Sequence, residues 1–281
     1  MAMITRHESL FQTFDETKIF IRKWTKPEAK AWIFLTHGQA EHSGCYDRFV
    51  EGLGDAPVNV LGWDLRGHGR SEGKRGYARE FMDYVRDYAI ILDFAKNQVF
   101  EKSPYFLAGH SMGALITLRY LADQASETCR GLLLSSPLMG VALPVPAWKS
   151  QSAKILNVLA PRTTLSNEIQ FSQLSSDRTV TAEYDKDSFR HDKISAGVFL
   201  GFESAWQYVE SHANRASWPL LLQISAKDRV VSAAKSRDLF ELWRGPKSLV
   251  VYENSEHELF NDIERTAVFA KCTEFIKEQL P

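Results

Sequence analysis

Three residues have the types and the order that nucleophilic catalysis needs: Ser111, Asp228 and His257. Ser111 stands in Gly109-His110-Ser111-Met112-Gly113, where the apolar run Tyr105-Phe106-Leu107-Ala108 gives way to an amphipathic pattern through Leu115, Ile116, Leu118 and Leu121. A strand, a corner and a helix in so few residues push the corner side chain out of the sheet. The helix N-terminus beneath it offers free N–H groups and a positive dipole end, so the charge created by attack lands where donors already point. A serine hydroxyl is a poor nucleophile until a base takes its proton, and the base needs an acid to orient it. Asp228 lies just past the apolar run Leu220–Ile224, in Ser225-Ala226-Lys227-Asp228, and His257 just past Leu249–Tyr252. Serine, then acid, then histidine is the order this strand-turn-helix setting requires.

The competing groups fit other roles. His37, His42 and His68 precede the serine and read as loop holders. His7 lies before the domain, and His191 and His212 fall in an inserted stretch. His110 adjoins the nucleophile, points elsewhere and is expected to help line the elbow and the substrate site beside it. Among acids, Asp64 ends an earlier strand and Asp262 lies a turn beyond the base. An oxyanion hole needs two backbone donors. The N–H of Met112 is one candidate, and the N–H of Gln39, in His37-Gly38-Gln39 after another buried-type strand, is the second; Gly38 permits the close approach.

Buried-type strands are expected at Ala31–Thr36, Val58–Trp63, around Tyr105–Ala108, at Gly131–Ser136, Pro219–Ile224 and Ser248–Tyr252, with helical patterns between them. A hairpin over Leu10–Trp24 is expected at a sheet edge. Strands alternating with helices predict an α/β fold, a mostly parallel sheet covered on both faces. Ligands then bind beyond the carboxyl ends of the strands, which every suspect loop leaves. The alternation fails between Pro137 and Trp218, too long a stretch for a plain connection. It reads as an inserted helical cap, giving a core in two parts, 1–137 and 219–281, around a cap at 138–218.

The 281 residues are 44% hydrophobic and 25% charged, enough for a sizeable core. A net charge of −1 makes no case for nucleic acid. Cys45, Cys129 and Cys272 are few and scattered, which fits a reducing compartment, and no Cys/His spacing suggests a metal. Neither a signal-like N-terminal run nor a membrane span is seen, so a cytoplasmic protein without cofactor is expected. The apolar opening of the cap, Leu138 to Trp148, adds an expectation of transient contact with a membrane surface. No pattern specifies an oligomeric state.

Five segments in order carry a resemblance across nearly the whole chain: His37-Gly38-Gln39-Ala40-Glu41-His42, Asp64-Leu65-Arg66-Gly67-His68-Gly69-Arg70-Ser71, the Ser111 elbow, Ser225-Ala226-Lys227-Asp228, and His257-Glu258-Leu259-Phe260-Asn261-Asp262. Together they resemble the monoacylglycerol lipase/lysophospholipase group of serine hydrolases with the α/β-hydrolase fold. The resemblance implies a triad of Ser111, Asp228 and His257 and backbone donors at Gln39 and Met112. It implies a cap roofing an acyl tunnel, to which Leu138 and Val145 are assigned, and a glycerol pocket lined by Tyr184 and Glu41. The substrate implied is a single-chain lipid ester, a monoacylglycerol; a lysophospholipid or a broad range of carboxylic esters is the alternative. A non-catalytic ligand-binding protein on the same fold is a further reading. Three positions depart from the group: Cys45 stands where it often carries arginine, Gln39 replaces a smaller or apolar residue, and Asp187-Ser188 replaces a frequent Asp-Pro.

Overall fold

The computed structural model describes residues 3–124, 127–143 and 145–280. The chain opens with an antiparallel hairpin, β1 (Thr5–Gln12) and β2 (Lys18–Thr25), and β1 is exposed along nearly its whole length, as an edge strand is. There follow β3 (Ala31–Thr36), α1 (Asp47–Gly52), β4 (Val58–Trp63), α2 (Phe81–Gln98), β5 (Tyr105–His110), α3 (Met112–Leu121) and β6 (Leu132–Ser135). An inserted segment carries α4 (Ala147–Leu159), β7 (Thr164–Ser166), α5 (Arg178–Tyr184), β8 (Lys193–Ser195) and α6 (Ala196–His212). The chain closes with β9 (Leu220–Ser225), α7 (Ala233–Leu242), β10 (Lys247–Tyr252) and α8 (Arg265–Gln279).

Among the described residues one sheet runs in the order β1-β2-β4-β3-β5-β6-β9-β10. β1, β2 and β4 pair antiparallel, and every pair from β4 to β10 is parallel. The central strands β3, β5, β6 and β9 are buried at every position, because both of their faces are covered and neither can be polar. Alternate side chains serve alternate layers. Phe34, Leu107, Leu134 and Leu222 pack with α2, α3 and α6, while Ile33, Phe106, Leu133 and Leu221 pack with α1 and α8. The parallel strands end at one edge of the sheet, and the loops bearing Gln39, Ser111, Asp228 and His257 all leave there.

The inserted segment differs from an all-helical roof in two ways. β7 and β8 form a separate antiparallel ribbon, Thr164 opposite Ser195 and Ser166 opposite Lys193. Three-residue strands carry too little alternation to be read from sequence. The last helix, α6, lies in the flanking layer rather than above the site: its Val198, Phe202, Ala205 and Val209 join the core packed with α2 and α3. Among the described residues no helix is long and apolar enough to cross a membrane.

Candidate active site

Ser111 sits between β5 and α3 with φ 52° and ψ −119°, a conformation that costs a non-glycine residue roughly 1–3 kcal/mol. Backbone bonds hold it there: its N–H donates to the Ser135 carbonyl at 3.0 Å, and its carbonyl accepts from Leu138 at 3.1 Å and Leu115 at 3.2 Å. The flanking glycines are steric necessities. A Cβ on Gly109 would lie 2.7 Å from the Ala114 backbone, and one on Gly113 would collide with the carbonyl oxygens of Thr36 and His37. The α3 N-terminus is thereby pressed against the end of β3, where the Gln39 loop begins.

The candidate acid and base arrive from the other half of the core. His257 Nδ1–H donates to Asp228 Oδ2 at 2.8 Å, and Asp228 Oδ1 accepts the N–H groups of Val230 and Val231 at 2.8 and 2.9 Å. Burial alone would raise the Asp228 carboxyl; the His257 imidazole and the two N–H donors outweigh it and hold it below the ordinary carboxylate value. Burial depresses the His257 imidazolium, but the Asp228 carboxylate more than offsets this and leaves it above the ordinary histidine value. With Nδ1 protonated, Nε2 is the free basic nitrogen. The base loop is tied to the inserted segment, Glu258 N–H donating to the Leu174 carbonyl at 2.7 Å.

Ser111 and His257 line one cavity of about 390 Å³, roofed by residues of the inserted segment. Ile169, Phe171, Leu174 and Val230 form an apolar wall, while Glu41, Tyr184, Arg190 and Glu258 form a polar end. Arg190 donates to both Glu258 oxygens, at 2.9 and 3.0 Å, and lies 3.7 Å from Glu41. Tyr184 Oη–H donates to Glu258 at 2.5 Å, and its ring lies 3.7 Å from the guanidinium. Glu41 accepts from Gly38 N–H at 2.6 Å and Tyr46 Oη–H at 2.7 Å. Burial, and then the neighbouring Glu258 charge, raise the Glu41 carboxyl; Arg190 holds Glu258 low against its own burial.

Of the residues assigned a substrate role, Glu41, His110 and Tyr184 line this cavity together with Ser111 and His257. His110 is buried with its ring 4.7 Å from that of His257 and faces the Ser135 hydroxyl at 3.3 Å; burial pushes its imidazolium down to about 3, so it stays neutral. Leu138 is buried in the core and touches the elbow through its backbone. Val145 is half-buried, and neither it nor Leu138 is among the described residues lining the cavity. The rival acids are occupied: Asp64 accepts from the N–H groups of Ser43 and Arg70, and Asp262 from those of Glu256 and Ser176. Arg190, Glu258 and Asn167 were not singled out from sequence. Arg190 approaches Glu41 from the inserted segment, a meeting that no local pattern in the sequence signals.

His42, Cys45 and Asp187 bring three ligand-type atoms within 4.8 Å of one another. The Gly44 N–H donates to His42 Nδ1 at 3.1 Å, which leaves the proton on Nε2, and Nε2–H donates to Asp187 at 2.8 Å. That imidazole has no lone pair to offer a metal in this arrangement. It links core to cap.

A strained serine on a strand-helix elbow, with an Asp–His pair beyond the same edge of a mostly parallel sheet, defines an α/β-hydrolase. The chain belongs to the family described as serine aminopeptidase, S33, whose model matches residues 27–264, and it is a hydrolase of the α/β-hydrolase fold. It is 31% identical over 283 residues to a monoacylglycerol lipase of Mycolicibacterium smegmatis, covering 100% of each chain. An uncharacterized abhydrolase domain-containing protein of Dictyostelium discoideum is 30% identical over 283 residues, and the alignment covers 99% of this chain but 30% of that protein. The crystal structure of Paleococcus ferrophilus monoacylglycerol lipase superposes with a TM-score of 0.81 at 28% identity, covering 99% of this chain and 100% of that one.

Proposed function

We propose that this chain is a serine esterase that cleaves a monoacylglycerol to fatty acid and glycerol through an acyl-enzyme. The reading rests on the Asp228–His257 hydrogen bond facing the cavity that holds Ser111. Ser111 Oγ attacks the ester carbonyl carbon while His257 Nε2 takes its proton. The oxyanion is held by the N–H groups of Gln39 and Met112. The bond to the alkoxy oxygen breaks as Nε2 returns the proton to the departing glycerol, and water repeats the sequence on the acyl-enzyme. Asp228 fixes the tautomer and stabilises the imidazolium. A cavity of about 390 Å³ with an apolar wall and a polar end suits a lipid with a small hydroxylated head.

The charges at the polar end favour hydroxyls over the alternatives. Both terminal nitrogens of Arg190 donate to Glu258, whose carboxylate balances the guanidinium charge and makes that end a weaker receptor for the phosphate of a lysophospholipid. Glu258 is equally occupied, by Arg190, Tyr184 and Asn261, which leaves it a poor receptor for the ammonium group an aminopeptidase must bind. The test is a parallel assay of monoacylglycerols, lysophosphatidylcholine, short esters and an aminoacyl anilide, with Ser111→Ala and His257→Ala as controls. Loss of monoacylglycerol turnover by several orders of magnitude in both variants is expected, and wild-type rates in either would end the assignment. A preference for short esters would favour the broad carboxylesterase.

Contact with a lipid surface is part of this proposal. Trp148, Ile155, Val158 and Leu159 are exposed on one stretch of α4, beside exposed Leu143. Vesicle binding that is insensitive to salt and weakened by Leu143→Asp is the expected result; unchanged binding would leave these side chains as mere surface.

A further inference from the structure

The side chain of Gln39 does not enter the cavity as a plain filler. Its Nε2 donates to the carbonyl of Lys193 at 2.6 Å, and its Oε1 accepts from Asn167 Nδ2 at 2.6 Å. Lys193 opens β8 and Asn167 follows β7, so a core amide closes the end of the cap ribbon like an added rung. The orientation of both amides is determined. Asn167 Oδ1 accepts the Ile169 N–H at 3.1 Å, which turns its Nδ2 toward Gln39, and the Lys193 carbonyl can only accept. The next residue is bolted to the same roof: Ala40, at φ 68°, accepts at its carbonyl from His191 N–H at 3.1 Å. A loop with a strained residue beside its donor is thus held from above at three points, all on the insertion.

We infer that the Gln39 side chain is a positioning residue, a strap that lets the seated cap hold the Gln39 backbone N–H at the angle the oxyanion requires. The inference rests on the serine-esterase reading and adds to it a coupling between roof and oxyanion hole. Deleting an oxyanion donor costs about 10²–10³ in kcat; misaligning one costs part of that. Gln39→Ala keeps the N–H and removes both clasps. Its kcat falls on the order of 10-fold while KM stays within about twofold, because the ground-state carbonyl leans less on the hole than the oxyanion does. Asn167→Ala removes one clasp without touching the loop and gives a smaller loss of the same kind.

Two ligands separate positioning from general loosening. An alkyl boronic acid, whose tetrahedral adduct with Ser111 fills the oxyanion hole, weakens in step with kcat/KM in both variants. A monoacylglycerol ether analogue, which has no carbonyl, binds as to wild type. Equal weakening of both ligands, or kcat within twofold of wild type in Gln39→Ala and Asn167→Ala, overturns the strap. Should Gln39→Ala not fold, Asn167→Ala carries the same comparison alone. An active Ser111→Ala would overturn the serine mechanism and this inference with it; an inert Ser111→Ala beside an unimpaired Gln39→Ala overturns the strap only.

Discussion

Arg190→Met tests what the cluster at the polar end contributes to stability. Arg190 and Glu258 have side chains 4% and 5% exposed and share two hydrogen bonds. The ~0–1 kcal/mol typical of exposed pairs therefore does not apply. Removing one partner of a buried pair strands the other charge, at about 3–5 kcal/mol. Methionine retains an apolar stem against the Tyr184 ring, so lost packing is a minor part of the cost. The pH dependence follows from sign. In the wild type Arg190 holds the Glu258 carboxyl below its ordinary value, a contribution present above the unfolded value and lost as pH falls through the depressed folded one. Without the guanidinium, burial is opposed only by weaker partners such as the Tyr184 hydroxyl and the Asn261 amide, and the carboxyl moves up, so the variant relieves its penalty by taking a proton as pH falls. Urea unfolding should show a loss of about 3–5 kcal/mol at pH 8 and clearly less at pH 5. Arg190→Met/Glu258→Gln, which removes both charges, should recover most of it. A loss under about 1 kcal/mol at pH 8, or an equal loss at both pH values, would refute the view of the cluster as a mutually dependent buried pair.

Three further outcomes are expected. Because Asp228 raises the His257 imidazolium, kcat/KM should fall on the acid side through a midpoint above the ordinary histidine value, and Asp228→Asn should shift that midpoint down; a midpoint that stays put removes Asp228 from the orienting role. The same variant should lose on the order of 10⁴ in kcat, read from initial rates, with ether-analogue binding retained. Gly113→Ala drives a methyl into two backbone carbonyls that cannot move aside, so it should lower stability by about 1–3 kcal/mol and slow labelling by a fluorophosphonate; unaltered labelling would contradict the tight approach of α3 to β3.

The layout of the core was open to sequence reasoning because its physics is local and periodic. A strand covered on both faces must be apolar throughout, and β3, β5, β6 and β9 advertise that directly. Ser111, Asp228 and His257 stood out as candidates because each follows such a run by a few residues. What escaped depends on pairings across long separations. Gln39 meets partners 128 and 154 positions away, and Arg190 meets Glu258 across 68. No pattern within a window of the chain encodes those meetings. Arg190 in particular looks like any solvated cation between Tyr184 and His191 until the fold closes over it. The ribbon β7–β8 was hidden for the opposite reason, being too short to show a period.

The place of α6 has a consequence for how this fold can diversify. A parallel pair such as β6 and β9 needs a crossover element, and α6 supplies it while its Gly201 lets Phe81 of α2 approach closely. The part of the insertion that precedes Ala196 therefore lies outside this crossover, and an exchange there leaves the β6–β9 connection in place while replacing the bonds from Leu174, Tyr184 and Arg190 to the base loop. Recombination that cut downstream of that point would swap a beam of the building along with its roof tiles. Chimeras grafted with their seam upstream of α6 should fold far more often than those joined at Trp218.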